Sequence, residues 1–328
     1  MKLSDIARLA QVSVTTASYV INGQAEKRRI SPATVARVLA VVEQHGYRPD
    51  QQAASLRRGQ SRCLGFILPD LENPSYARLA KLLEQKARAA GYQLLIASSD
   101  DDPSSERQLL DLFRSRRCEA LIVASCLPPD DPLYPSIVAT GLPVIAVDRA
   151  LSPTHIRSVV SDDEQAGRTL TASLLTPKPR HIALLGARAE LVISQARERG
   201  FRAALAGFDG RLSVCQGEQF NRACGYRQMK TLLDAGSPPD ALLTTAYVLL
   251  EGVFDALREQ GSEHWPAVRL ATFGDTQLLD FLPLRVNAMS QQHERIAERV
   301  LAWTLQAVEN NDYRPGIEAI ERSFKARL

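Results

Sequence analysis

From Arg62 onward the chain alternates short apolar runs with amphipathic stretches, and it does so twice. The first winding opens with CLGFIL (Cys63 to Leu68), ending in Pro69-Asp70. A helical pattern from Ser75 to Ala90 follows, then a strand at Tyr92 to Ser98, a helix from Ser104 to Ser115, and strands at Ala120 to Ala124 and Val144 to Asp148. The rhythm restarts at His181 to Gly186, with a helix through Arg199, a strand near Leu212 to Cys215, and a helix from Arg222 to Asp234. Ala241 to Thr245, a helix to Gln260, and Leu270 to Gly274 complete it. Uniformly apolar strands are buried on both faces, which requires a parallel sheet with helices on either side. Two windings predict two similar lobes with a ligand cleft between them, because open parallel sheets bind ligands beyond the carboxyl ends of their strands. Asp70, Asn73 to Tyr76, Asp148, Arg149, Arg188 and Asp275 all sit just after strands. Carboxylates accept from hydroxyls and guanidinium grips phosphate in a two-pronged fork, so this set suits a polyol bearing an anionic group.

The first sixty residues follow a different pattern. Ser4 is positioned to cap a short helix whose apolar face is Ile6, Leu9 and Ala10; Ser13 can cap a second, Val14 to Ile21, stopped by Gly23. Ala17, Val20 and Ile21 pack inward, leaving Val14, Thr15, Thr16, Ser18, Tyr19 and Asn22 outward, a face with no charge. Two short helices joined by a tight turn read as helix-turn-helix, and short polar groups and methyls suit base edges in the major groove. Ser31-Pro32 starts a third helix, running to about Gln44, whose buried stripe is Val35, Val38, Leu39 and Val42. The loop Lys27-Arg28-Arg29 between helices two and three is placed for phosphate contact. After Pro49, Asp50 can cap Gln51 to Arg57, a segment too short to be a stable isolated helix, carrying Leu56.

Charge separates the two parts. Residues 1 to 62 hold ten Lys/Arg against four acids, a net +6, whereas the remainder holds 30 basic and 33 acidic residues, a net −3. A basic head on a slightly acidic body is the footprint of a nucleic-acid-binding module joined to a part that does not bind nucleic acid. A length of 328 residues calls for two or three domains. Five scattered cysteines without a C-x-x-C pair read as thiols in a reducing cytoplasm. No signal-peptide pattern and no apolar run of ~18 residues point to a membrane.

Enzyme signatures are missing: no G-x-G-x-x-G, Walker A, G-x-S-x-G or H-E-x-x-H occurs. The five histidines have no metal-ligand spacing, His181 at a strand start reads as a surface or edge residue, and Asp162-Asp163-Glu164 read as charge capping a helix start. No catalytic residue, metal site or cofactor is expected.

ARLAQVSVTTASYVING resembles the DNA-binding motif of the LacI/GalR family of bacterial repressors, HGYRPDQQAASLRRGQS resembles that family's hinge, and the resemblance runs the whole length. It implies a helix-turn-helix head (1–48), a hinge (49–61) and an effector-binding and dimerisation domain (62–328) of the type-1 periplasmic-binding-protein fold, crossed by the chain near 160, 290 and 315. DNA contacts are implied at Val14, Thr15, Thr16, Ser18, Tyr19, Asn22, Arg28 and Arg29, with Leu56 as the hinge leucine that wedges into the minor groove. Effector contacts are implied at Ser75, Tyr76, Asp148, Arg149, Arg197 and Asp275. The longer insert GQAEKRRIS and the later DLENPSY resemble the fructose-responsive members, which implies fructose 1-phosphate or a related sugar phosphate as effector. The implied partners are a pseudo-palindromic double-stranded operator and a second copy of the chain; dimer against tetramer stays open. Departures from the family pattern are Gln11 at a turn glycine, Val14 at a usually polar or basic reading position, Asp50 for Asn, and Ala246-Tyr247 for Asn-Asp. ERSFKARL is expected to follow directly on the last strand, with no heptad tail.

Overall fold

The structure is a computed structural model and describes residues 1–47, 60–236, 238–261 and 268–328. Its residues form two compact units, Met1–Ser61 and Arg62–Leu328.

The first unit contains α1 (Leu3–Leu9), α2 (Val14–Ile21) and α3 (Pro32–Gln44). Ser13 and Ser31 cap α2 and α3, their side chains accepting from the amides of Thr16 and Thr34. Ser4 is not a cap: α1 begins one residue earlier, and Asp5 accepts from the Lys2 amide at 2.9 Å instead. Ile6, Ala7, Ala10, Ala17, Val20 and Val38 close the core, with Val35, Val41 and Val42 half-buried against it. Leu9 and Leu39, expected in the core, are 42% and 47% exposed. Three short helices enclose too little volume to bury a wide stripe, and Ala7 and Val41 take the inward positions. Gln11 adopts the left-handed conformation (φ 52°) that its place between the two helices demands, so the missing glycine is tolerated as local strain.

In the second unit the first sheet is built from β1 (Cys63–Leu68), β2 (Gln93–Ser98), β3 (Ala120–Val123), β4 (Val144–Val147), β5 (Arg157–Ser161) and, from much later in the chain, Gly316–Ile320. The helices of this lobe are α4 (Pro74–Ala89), α5 (Pro103–Ser115), α6 (Leu133–Ala139) and the late helix His293–Asn310. The second lobe begins with α7 (Asp163–Ala172). It continues β6 (His181–Ala187), α8 (Val192–Ala204), β7 (Arg211–Gly217), α9 (Arg222–Asp234), β8 (Ala241–Thr244), α10 (Tyr247–Glu259), β9 (Arg269–Phe273) and β10 (Val286–Ser290). The late elements are then α11 (His293–Asn310), β11 (Gly316–Ile320) and β12 (Ser323–Lys325). Strand orders are β11-β5-β4-β3-β1-β2 and β12-β10-β9-β8-β6-β7, parallel apart from the antiparallel pairing of β12 with β10.

Both faces of each sheet are covered. Tyr76, Leu79 and Leu83 of α4 meet Ile296, Val300 and Leu301 of α11 over Leu64 and Phe66, while Leu110 and Phe113 pack on the other face against Ile67, Leu121 and Val123. In the second lobe α9 and α10 cover one face and α7 and α8 the other. The chain crosses between lobes from β5 to α7, from β10 to α11 and from β11 to β12. The third crossing is therefore at Glu321-Arg322 rather than near 315, because Gly316–Ile320 first pairs in register with Arg157–Ser161. ERSFKARL does not follow the last strand but contains it, since Ser323–Lys325 forms β12 by pairing with β10. His181 is buried between two neighbouring strands and bonded to Ser213 Oγ at 2.9 Å, so it is no surface or edge residue.

Among the described residues, no helix is long and apolar enough to cross a membrane, and all five cysteines are free.

Candidate functional site

Between the lobes lies a cavity of about 630 Å³, lined by the strand-end residues that the fold rule singled out, Asp70, Ser75, Tyr76, Asp148, Arg149 and Asp275 among them, and by Arg197 and Arg322. Arg188 is not part of its lining.

Asp148 follows β4 in a left-handed conformation (φ 65°), a strained backbone for a residue with a side chain. That turn presents its carboxylate to two donors, Tyr76 Oη at 2.7 Å and Gln291 Nε2 at 2.7 Å. Burial raises its pKa, but Arg197, Arg322, the Tyr76 bond and Arg149 outweigh burial and hold the carboxyl below the usual range. Asp148 is ionised at neutral pH, an acceptor fixed in space. Burial, then the neighbouring Asp148 charge, pushes the Tyr76 phenol well above its ordinary value, keeping it a donor.

Arg197 and Arg322 form the opposite feature. Arg197 projects from α8 and its Nε donates to Asp163 Oδ1 at 3.0 Å while Nη1 donates to the Thr245 carbonyl at 2.9 Å. Arg322, in the third crossing, donates through Nε to the same Asp163 oxygen at 3.0 Å. Both guanidiniums lie by the Phe273 ring, at 4.8 and 5.3 Å from its centroid. Burial, then the nearby Arg197, lowers the pKa of Arg322 despite Asp163 and Asp148, whereas the same two carboxylates raise that of Arg197 against its burial, so Arg322 is the less compensated of the two guanidiniums. Close packing of α7 on α8 sets this geometry. A Cβ on Gly200 would fall 2.1 Å from the Glu164 carbonyl oxygen, and one on Gly167 2.8 Å from that of Arg197.

Three expected contacts are engaged within the protein. Asp275 accepts from Arg327 Nη2 at 2.6 Å, so it is not a bare acceptor for a sugar. Arg149 forks onto Asp101, with Nη2 to Oδ2 at 3.2 Å. Ser75 Oγ donates to Gln291 Oε1 at 2.6 Å and lies 2.9 Å from His293 Nε2. Because Gln291 spends its amide hydrogens on Asp148, its oxygen must accept from Ser75, which leaves His293 Nε2 to donate to Ser75. Burial, with Arg78 and Arg322 nearby, pushes the His293 ring down to about 4. Asp162 caps α7 by accepting from the Gln165 amide, with Asp163 and Glu164 in its first turn as expected, and Asp163 is in addition buried as the shared partner of Arg197 and Arg322.

Sequence reasoning passed over Arg322, Gln291, His293 and Asp101. Arg322 and Gln291 lie on crossings, which no strand-end rule reaches; Asp101 lies just past β2 and was within that rule's scope.

On the helix-turn-helix unit, Val14, Thr15, Asn22, Arg28 and Arg29 are exposed and Thr16, Ser18 and Tyr19 half-buried. Arg28 stacks on Tyr19 with its guanidinium carbon 4.6 Å from the ring centroid, bringing a loop cation beside the neutral face. Part of that face is used internally: Thr16 Oγ1 bonds Ser13 Oγ at 2.8 Å, and Asn22 Nδ2 donates to Ser18 Oγ at 3.2 Å. Leu56 lies outside the described residues.

A helix-turn-helix unit in one chain with a two-lobed, charge-lined ligand cleft defines the class of ligand-responsive DNA-binding regulators. The family model described as bacterial regulatory proteins, lacI family, matches residues 2–50, and that of periplasmic binding proteins and the sugar-binding domain of the LacI family matches residues 61–268. The chain belongs to the LacI family of bacterial transcriptional regulators.

It is 50% identical over 327 residues to the fructose operon regulatory protein of Vibrio cholerae, covering 100% of both chains. It is 41% identical over 328 residues to the catabolite repressor/activator of Escherichia coli, covering 100% of this chain and 98% of that one. The crystal structure of the Cra transcriptional dual regulator of Pseudomonas putida in complex with fructose 1-phosphate is similar at 60% identity and TM-score 0.79, covering 81% of this chain and 99% of that one. These relatives are regulators of transcription rather than enzymes.

Proposed function

We propose that this regulator of carbon metabolism senses fructose 1-phosphate in the cleft and leaves its operator when the cleft is occupied. The observation that carries the reading is the buried pair Arg197 and Arg322, two guanidiniums sharing one carboxylate and facing the cavity. An incoming phosphate supplies the negative charge this pair lacks, in the geometry guanidinium prefers. Asp148, held ionised as an acceptor, suits a sugar hydroxyl. The fructose 1-phosphate bound to the similar Pseudomonas putida protein supports that effector.

In this reading Arg197 meets phosphate with Arg322, and Ser75 contributes the start of α4, where backbone amides favour anions. Arg149 and Asp275 act through the partners that already hold them, Asp101 and Arg327. The reading assigns 1–48 to DNA, 49–61 to the hinge and 62–328 to binding effector and joining two copies of the chain. One helix-turn-helix makes few base contacts, so useful affinity needs two on a pseudo-palindromic site in the cytoplasm. Thr15, Thr16, Ser18, Tyr19, Asn22 and the Val14 methyls face base edges, Arg28 and Arg29 meet phosphates, and Leu56 wedges at the centre. The ligand moves the equilibrium because it binds the released form more tightly, a difference of roughly 1–3 kcal/mol per coupled site.

Fluorescence anisotropy of an operator fragment tests this. Fructose 1-phosphate added to the complex should release the DNA, and fructose should not. Release by unphosphorylated fructose at equal concentration overturns the phosphate assignment, and no response to any sugar phosphate overturns the sensor reading.

A further inference from the structure

At the mouth of the cleft a second cluster of charge joins the lobes without using any crossing segment. Asp101 follows β2, the edge strand of the first sheet, while the crossings leave from β5, β10 and β11 toward the opposite edges of the two sheets. Arg188 follows β6 in the second lobe, and its Nη1 donates to the Asp101 carbonyl oxygen at 3.2 Å, with the Asp101 carboxylate 3.9 Å away. The same carboxylate fills the fork of Arg149, whose Nη1 also donates to the Ser125 carbonyl at 3.3 Å. Ser125 Oγ in turn donates to the fully buried Glu106 at 2.5 Å, which ties this end of the cluster into the first lobe's core.

The backbone is bent to make the contact. Asp100, Asp101 and Arg188 all adopt left-handed conformations, with φ of 55°, 56° and 52°. A residue with a side chain adopts this conformation at a cost, and none of the three is a glycine relieving it. Strain of this kind persists where surrounding contacts enforce it, and here it brings Asp101 of one lobe within reach of Arg188 of the other, whose Nε is held by Glu190 of its own lobe and whose Nη1 is left for Asp101.

We propose that Arg188 is a positioning residue of the effector site: with Asp101 it forms a latch that holds the cleft shut over bound ligand and steadies Arg149 from the opposite lobe. The inference rests on the cleft being the fructose 1-phosphate site. The crossings tether one side of the cleft, so the lobes part most easily at the side where Asp101 and Arg188 meet. Opening the mouth breaks the Arg188 contact and leaves Arg149 held only from its own lobe, by Asp101 and the Ser125 carbonyl. The latch therefore acts on how long the ligand stays rather than on how often it arrives. Its ionic half is partly exposed, 15% for Asp101 and 16% for Arg188, so salt weakens it.

The experiment follows loss of radiolabelled fructose 1-phosphate from the full chain after a chase with unlabelled ligand. Arg188→Ala should raise the dissociation rate about three- to tenfold, the worth of one long, partly exposed ion pair with a supporting hydrogen bond. The association rate should change little. Arg188→Glu, which repels Asp101, should exceed Arg188→Ala, and Arg188→Lys should recover part of the loss. In the wild type the dissociation rate should climb with added salt, and in Arg188→Ala it should be nearly insensitive to it; a purely structural role for Arg188 would leave the two salt responses alike. Wild-type dissociation rates in both Arg188→Ala and Arg188→Glu overturn the latch. Absence of fructose 1-phosphate binding to the wild type overturns the underlying effector assignment instead.

Discussion

Replacing Asp163 with Asn isolates the charge logic of the cleft. Asp163 is 4% exposed in its side chain, and its Oδ1 takes a bond from Arg197 and another from Arg322, themselves 7% and 3% exposed. The substitution keeps size and removes the charge, leaving two buried guanidiniums without their common counter-ion. Breaking a buried pair from one side costs about 3–5 kcal/mol. For a unit the size of Arg62–Leu328, that is a fall of roughly 6–20 °C in melting midpoint. Phosphate should restore part of what the carboxylate supplied. At about a hundred times its Kd a ligand adds about 2.7 kcal/mol to the stability of a wild-type protein that binds it only when folded. Fructose 1-phosphate at one fixed concentration should raise the midpoint of Asp163→Asn by more degrees than that of the wild type in differential scanning fluorimetry. An equal or smaller gain in the variant would refute the idea that phosphate sits against this pair, and an unshifted midpoint without ligand would refute the charge crowding itself.

Two further outcomes are expected. Gly200→Ala puts a methyl group against the Glu164 carbonyl and must push α8 from α7, so it should weaken fructose 1-phosphate binding about tenfold or more in calorimetry by displacing Arg197 from Asp163. The His293 ring titrates at about 4 in the fold against 6.5 when unconstrained. Its folded pKa is depressed, so the stability it contributes is complete above pH 6.5 and drains away as pH falls toward 4. The melting-midpoint gap between wild type and His293→Asn should hold steady above that window and narrow within it; a gap independent of pH removes His293 from the acid response.

Legibility followed locality. CLGFIL and the helix at Arg222–Asp234 were plain in the sequence because each carries its own apolar pattern and its own stops. Strand-end residues were legible for the same reason, since one rule about parallel sheets points to Asp148 and Arg149 without knowing their partners. Arg197 came from family likeness. The partnership of Asp163 with Arg197 and Arg322 was not legible, because it spans 34 and 159 positions and leaves no local trace. β12, three residues of which only Phe324 is apolar, is held by pairing with β10 rather than by its own composition. Leu9 and Leu39 show that helical spacing gives the period of a buried face more readily than its width.

The third crossing has a consequence for the order in which a newly made molecule acquires its abilities. Chains fold from the amino end as they are synthesised, so the helix-turn-helix unit is translated long before Arg322, and the cleft lacks half of its guanidinium pair until Arg322 emerges. Each molecule thus passes through an interval in which its DNA-reading part exists and its metabolite sensor does not.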